Sequence, residues 1–202
     1  MNRCIVPAAC GEILESSLNQ VRCHIWNHAQ MPSYGSLMVI EMGSAKLYGI
    51  VAASGRGPRD ATRTPHPYQK TEGELLRDHP HIFEFIVSWC TIFCIGYEQR
   101  GILMHIPPPV PPSIHTFVRP AGREEQELII ASPHFVHRLF AAGADQGIAP
   151  EELLLPFLKD IDPQSTPYRA IITELSLIIG SDYRRFKIII NRLTASNHTH
   201  PA

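Results

Sequence analysis

Side-chain polarity along this chain changes period once, from about two residues before position 122 to three or four after it. Over residues 21–26, Val21, Cys23 and Ile25 fall on one face and Arg22, His24 and Trp26 on the other, the alternation of a strand with one side in a core. Met31, Pro32, Ser33, Tyr34 and Gly35 carry turn chemistry, and residues 37–42 form a second β-prone run. Gly43, Ser44 and Ala45 then turn the chain into residues 46–53, the partner strand of a hairpin. Gly49 inside that partner predicts a bulge or a sharp bend, which a small closed barrel needs at its corners. Further extended segments are expected within 89–97, at 100–106 and at 114–118. Residues 54–70, rich in Gly, Pro and Arg and without periodicity, read as a long exposed loop. The run Pro107, Pro108, Pro109, Val110, Pro111, Pro112 is stiff, because each ring fixes φ and removes a donor; it reads as a connector, or as a ligand for an aromatic groove.

Past Gly122 the helix starts are marked by proline. Ser132-Pro133, Ala149-Pro150 and Thr166-Pro167 each set a first-turn proline where its missing N–H costs nothing, and Glu151 and Glu152 favour the second start. Each start leads into one apolar stripe: Phe135, Val136, Leu139 and Phe140; then Leu153, Leu154, Phe157 and Leu158; then Ile171, Ile172, Leu175, Ile178 and Ile179. Gly180 ends the third helix, and Ser181 caps a fourth that carries Tyr183, Phe186, Ile190 and Leu193. Pro156 predicts a kink or an early end to the second. The expected fold is α+β: a small closed β-barrel at 1–122 with a loop at 54–70 and a Pro-rich connector at 106–112, then a bundle of about four helices at 123–196, then a disordered tail at 197–202.

Composition bears on function. An apolar fraction of 44% and a charged fraction of 18% are those of a chain that buries a core. With a net charge of −1, affinity for a phosphate backbone requires a local basic patch. Cys4, Cys10, Cys23, Cys90 and Cys94 are an odd set without framework spacing, which predicts reduced thiols and a cytoplasmic location. The first residues lack a signal-peptide core, and Pro, Gly or charge interrupts every apolar run before it could span a membrane.

Candidate chemistry is sparse. Glycines followed by Lys and Ser or Thr, as in a phosphate-binding loop, are missing, and so is the Gly-x-Ser-x-Gly elbow. The expectation is therefore no catalytic residue, no cofactor and no metal. Ser54, Gly55, Arg56, Gly57, Pro58 and Arg59 could cradle an anion in a backbone nest, although a solvated loop is the simpler reading. Arg184, Arg185, Lys187 and Arg192 make the last helix basic on its polar face, a nucleic-acid footprint or a solvated face. The candidate contacts for nucleic acid or another anion are thus Arg56, Arg59, Arg184, Arg185, Lys187 and Arg192. His134 and His137, one helical turn apart, can chelate, yet no third ligand is evident in the sequence and surface histidines are the simpler reading. His79 and His81 are read the same way. Cys90 and Cys94, on a strand, stand about 13 Å apart, too far to share one zinc ion.

Two stretches carry a family likeness. Tyr34-Gly35-Ser36-Leu37-Met38-Val39-Ile40-Glu41 followed by Leu47-Tyr48-Gly49-Ile50-Val51 resembles the paired-strand signature of the HAS-barrel, the N-terminal domain shared by HerA-type DNA translocases and the α and β subunits of ATP synthase. Phe93-Cys94-Ile95-Gly96-Tyr97 and the segment from Pro107 to Val118 are similar to stand-alone bacterial HAS-barrel proteins that continue into a short helical region. The resemblance implies a six-stranded barrel whose role is assembly between subunits of a ring. No nucleotide-binding motif follows the barrel in this chain, so ATPase activity is not implied. The expected function is a non-enzymatic interaction or assembly module, associating with itself or with a separately encoded ring ATPase. The alternatives are a nucleic-acid accessory protein using the basic helix face and, last, a histidine-based metal hydrolase.

Overall fold

Residues 23 and 90, far apart in sequence, face each other across the seam that closes a sheet into a ring. The computed structural model describes residues 9–60, 62, 64, 66–159 and 161–197. Its strands are β1 (Gly11–Ser16), β2 (Gln20–Ile25), β3 (Leu37–Met42), β4 (Ala45–Pro58), β5 (Ile86–Gln99), β6 (Ile102–Met104) and β7 (Phe117–Pro120). Neighbours run β2-β1-β7-β3-β4-β5, and β5 pairs back onto β2, giving a closed antiparallel barrel of six strands with β6 appended to β5.

The pattern of each strand says which wall it forms. β2 alternates strictly, with Val21, Cys23 and Ile25 buried inside the ring. In β3 the four residues Leu37, Met38, Val39 and Ile40 are all buried, because this strand is covered on both sides. Met38, Ile40, Leu47, Val51 and Ile92 fill the interior, while Leu37, Val39, Tyr48, Ile50, Phe93 and Ile95 point outward into a second core shared with the helices.

The β3–β4 hairpin forms as expected, with Met42 opposite Ala45 and Gly43 left-handed at φ +66. A bulge is present at this point of the β4–β5 pair: Tyr48 opposes Gly96 and Gly49 opposes Cys94, so the extra residue is Ile95 on β5, across from Gly49. A Cβ on Gly49 would stand 2.4 Å from Ile92 Cγ2 and 2.7 Å from the Phe93 carbonyl oxygen, so no side chain fits at this corner. A second register shift between Val51 and Ala53 bends the same pair of fourteen-residue strands again.

Several expectations are corrected. β4 continues to Pro58, its residues 54–58 pairing with residues 86–90, so the loop expected from residue 54 starts only after Pro58. A helix not expected from the sequence, α1 (Glu72–Asp78), is held by a capping box between Thr71 and Glu74. The extended segment at 100–106 shrinks to β6, and that at 114–118 moves on to β7.

Beyond residue 122 there are five α-helices among the described residues rather than four, α2 (Arg123–Ala131), α3 (Phe135–Ala142), α4 (Pro150–Leu158), α5 (Thr166–Ile179) and α6 (Tyr183–Asn197), with a 3-10 turn at Ala144–Gln146. α2 starts after Gly122, whose N–H is capped by Glu125 at 2.9 Å, and Ser132 ends this helix instead of starting the next. Ser165, not Thr166, caps α5, and Asp182, not Ser181, accepts from the Arg185 amide at the head of α6. Pro156 lies in the last turn and a half of α4, which stops at Leu158. Its ring packs on Gly35, where a Cβ would come within 2.5 Å of Pro156 Cγ. Of the tail expected at 197–202, Asn197 instead closes α6, and residues 198–202 lie outside the described residues.

Polar contacts fasten α2 and α3 to the barrel. Arg119 of β7 donates to both carboxylate oxygens of Glu125 and to Glu41 of β3, each at 2.7 Å, and Lys46 of β4 reaches Glu125 at 3.1 Å. Arg119 holds the Glu125 carboxyl at about 2, against an ordinary 4.5. On α3, Arg138 donates to the Cys94 carbonyl at 2.9 Å and to Asn19 Oδ1 at 2.8 Å.

Two outcomes follow for stability. Gly49→Ala overpacks the barrel corner and lowers the free energy of unfolding by about 1 to 3 kcal/mol in urea titrations. Glu125 is depressed on folding, so its stabilising contribution is complete above pH 4.5 and is lost as the pH falls toward 2. Glu125→Gln should therefore cost about 2 to 3 kcal/mol at pH 7 and flatten the acid limb of a stability-against-pH curve over that window.

Candidate interaction surface

The helices cover the outside of β3, β4 and the later half of β5, and this leaves the outer wall of β1, β2 and β7 as the place where side chains face outward. In β1 the register steps from Ile13 opposite Cys23 to Glu15 opposite Arg22, and the extra residue, Leu14, is pushed outward, 46% exposed. Trp26 follows β2, also 46% exposed, and its ring meets Phe117 of β7 edge to face at 5.2 Å. These are the outward positions of a strand pattern whose inward partners, Ile13, Ile25 and Val118, are fully buried.

Next along the wall, the Arg22 guanidinium lies 4.7 Å over the ring of Trp89 on β5. Trp89 in turn lies across Gly55, its partner on β4; a Cβ at Gly55 would stand 2.5 Å from the ring. Gly55 therefore serves strand packing, and the backbone nest read from residues 54–59 is not formed as a loop. Leu14, Arg22, His24, Val87 and Trp89 line a groove of about 450 Å³ that ends at Arg59. On the other side of Arg59 a second groove, about 540 Å³, runs between His66, Tyr68, His81 and Phe85.

The six candidate cations fall into two groups. Arg56 donates to the His28 carbonyl at 2.9 Å, while Arg59 stands where the two grooves meet. The other four lie on α6. There Arg185 is bonded to Glu151 and Arg192 to Glu152, both carboxylates from the first turn of α4, while Arg184 and Lys187 are exposed. Half of the basic face is thus matched to an acidic helix start.

Cys10, Cys23, Cys90 and Cys94 are buried, free thiols inside the barrel. Burial pushes Cys10 up to about 11 and Cys94 up to about 12, and Cys23 is raised further by its hydrogen bond to Cys90. Cys10, Cys23 and Cys94 therefore stay thiols near neutral pH, and all four buried side chains pack as apolar residues. Cys4 lies outside the described residues. The rings of His79 and His81 are 6.0 Å apart beside the second groove. His134 and His137 adjoin Glu174 of α5, a neighbour that the sequence did not point to.

Among the described residues no helix is long and apolar enough to cross a membrane. The chain matches no model of a known protein family, and no curated protein matches it.

The pairing on α6 has a chromatographic consequence. Glu151→Gln together with Glu152→Gln removes the carboxylates that face Arg185 and Arg192, so the variant should elute from heparin at higher salt than the wild type. Glu12→Gln with Glu15→Gln, the same change in net charge on the barrel wall, should move elution less.

Proposed function

We propose that this chain is a non-enzymatic assembly module that docks another protein subunit, a second copy of itself or a ring ATPase, on the outer wall of β1, β2 and β7. The observation that carries this reading is the exposed edge-to-face pair Trp26 and Phe117, with Leu14 exposed on the same wall and polar neighbours at Glu12, Arg22 and His24. Aromatic anchors with a polar surround are what protein interfaces use.

The closed six-stranded antiparallel ring supports a HAS-barrel-like assignment, since that family requires such a ring and uses it between subunits. The helical segment, in this reading a small bundle, serves as the cover that leaves one wall free. The nucleic-acid alternative draws less support, because Arg185 and Arg192 are already matched by Glu151 and Glu152. The reading assigns no catalytic residue.

Light scattering on the eluting protein tests it, alone and with a photo-crosslinking residue in place of Phe117 or, as a control, of Glu127 on α2. The purified chain should run larger than a monomer, or crosslink in its native cell to one protein from position 117 and not from 127. Trp26→Ser and Phe117→Ser should each weaken the association by about tenfold or more, while losing the ring contact lowers the unfolding free energy by only about 0.5 to 1.5 kcal/mol, so the variants remain folded. A monomer at every concentration that gives no crosslink from position 117 would overturn the proposal.

A further inference from the structure

Two histidines that the helical period sets side by side gain a third neighbour only through packing. His134 opens α3 and His137 follows one turn later, so their rings share a flank, with centroids 6.3 Å apart. α5 packs against α3 by burying Ile171 and Leu175, and this brings the adjacent Glu174 against the histidines. His137 Nε2 is 2.6 Å from Glu174 Oε2, and His134 Nδ1 is 3.8 Å from Glu174 Oε1. One nitrogen from each ring and one carboxylate oxygen lie within 4.8 Å of one another. Donors around a tetrahedral ion stand about 3.4 Å apart when the bonds are roughly 2.1 Å. Small rotations of these side chains suffice to bring all three donors onto one ion.

We propose that His134, His137 and Glu174 bind a late first-row divalent metal ion of the zinc(II) class, which bridges α3 to α5. Two imidazoles and one carboxylate suit such an ion and not magnesium or calcium, which take oxygen donors. With neutral imidazoles the site carries one negative charge, and the dication offsets it. Glu174 is the anchored member, 18% exposed, while His134 and His137 are 65% and 52% exposed. The ion therefore arrives directly from solvent, and its fourth position is left to water or to a donor from outside the chain. Binding exchanges the His137-to-Glu174 hydrogen bond for three metal bonds and adds a coordinate tie between two helices that also meet through apolar contacts. The site is independent of the docking wall, so either assignment can fail alone.

The test uses the full chain freed of metal with chelator and titrated with zinc chloride at pH 7.5, followed by calorimetry and thermal melting. One equivalent should bind saturably and raise the melting temperature, and magnesium chloride should do neither. His134→Gln, His137→Gln and Glu174→Gln should each weaken zinc binding by at least roughly tenfold and abolish the thermal shift, while melting like wild type without zinc. Imidazole nitrogen NMR of the unmodified chain gives a second readout, in which zinc shifts His134 and His137 ahead of the other histidines. Absence of saturable binding, affinity unchanged in the His134→Gln, His137→Gln double variant, or first shifts at His66, His79 or His81 would each overturn the assignment.

Discussion

A ring of only six strands encloses too little space for the apolar residues that β3, β4 and β5 carry. Met38, Ile40, Leu47 and Val51 use the interior, which leaves Leu37, Val39, Tyr48 and Ile50 on the outside of the same two strands. Each such side chain is worth about 1.5 to 3 kcal/mol when removed from water, so this wall has to be covered. The stripes of α2 to α6 supply the cover, and Phe135, Leu139, Leu153, Leu154, Ile171 and Leu175 complete one cluster with the strands. Barrel and helices thus depend on a common core, and the position of the free wall follows from where that core lies.

Charge fixes the seam between them. Glu125 caps the start of α2, accepts both arms of Arg119 and meets Lys46, so a single carboxylate ties one helix to two barrel strands. Side-chain exposure of 16% for Arg119 and 13% for Glu125 keeps solvent screening low there. Arg138 does a comparable job with neutral acceptors and a ring: besides the Cys94 carbonyl and Asn19, its guanidinium lies 5.8 Å from the Phe93 ring centroid.

Much of this was legible in local pattern. The strict alternation over residues 21–26 marked a strand with one open face, and that face belongs to the free wall; the continuous apolar run at 37–40 belongs to the doubly covered one. Gly49 marked the bulged corner because nothing larger fits between Ile92 and Phe93. Several of the features missed depend on partners distant in sequence, while α1 and α2 rest on local caps that were passed over. Residues 54–59 read as a loop because the room for Trp89 that Gly55 provides is invisible without the β4–β5 register. α2 went unread because its cap is a backbone N–H met by Glu125, not a side chain at the cap position. For the candidate surface, Arg59 was named for its charge, whereas Leu14, Trp26 and Phe117 needed the ring to bring them together. Likewise Glu174 joins His134 and His137 only once α5 lies on α3.

Closure of the ring also limits how any partner can be recognised. Strand β5 pairs with β4 along one edge and with β2 and β6 along the other, and the remaining strands follow the same circuit. Over most of the circumference the main-chain donors and acceptors are already engaged, so an incoming peptide finds little exposed edge on which to add itself as another strand. Selectivity must then reside in side-chain shape and chemistry, and drift at a few surface positions could change the partner while the scaffold stays as it is.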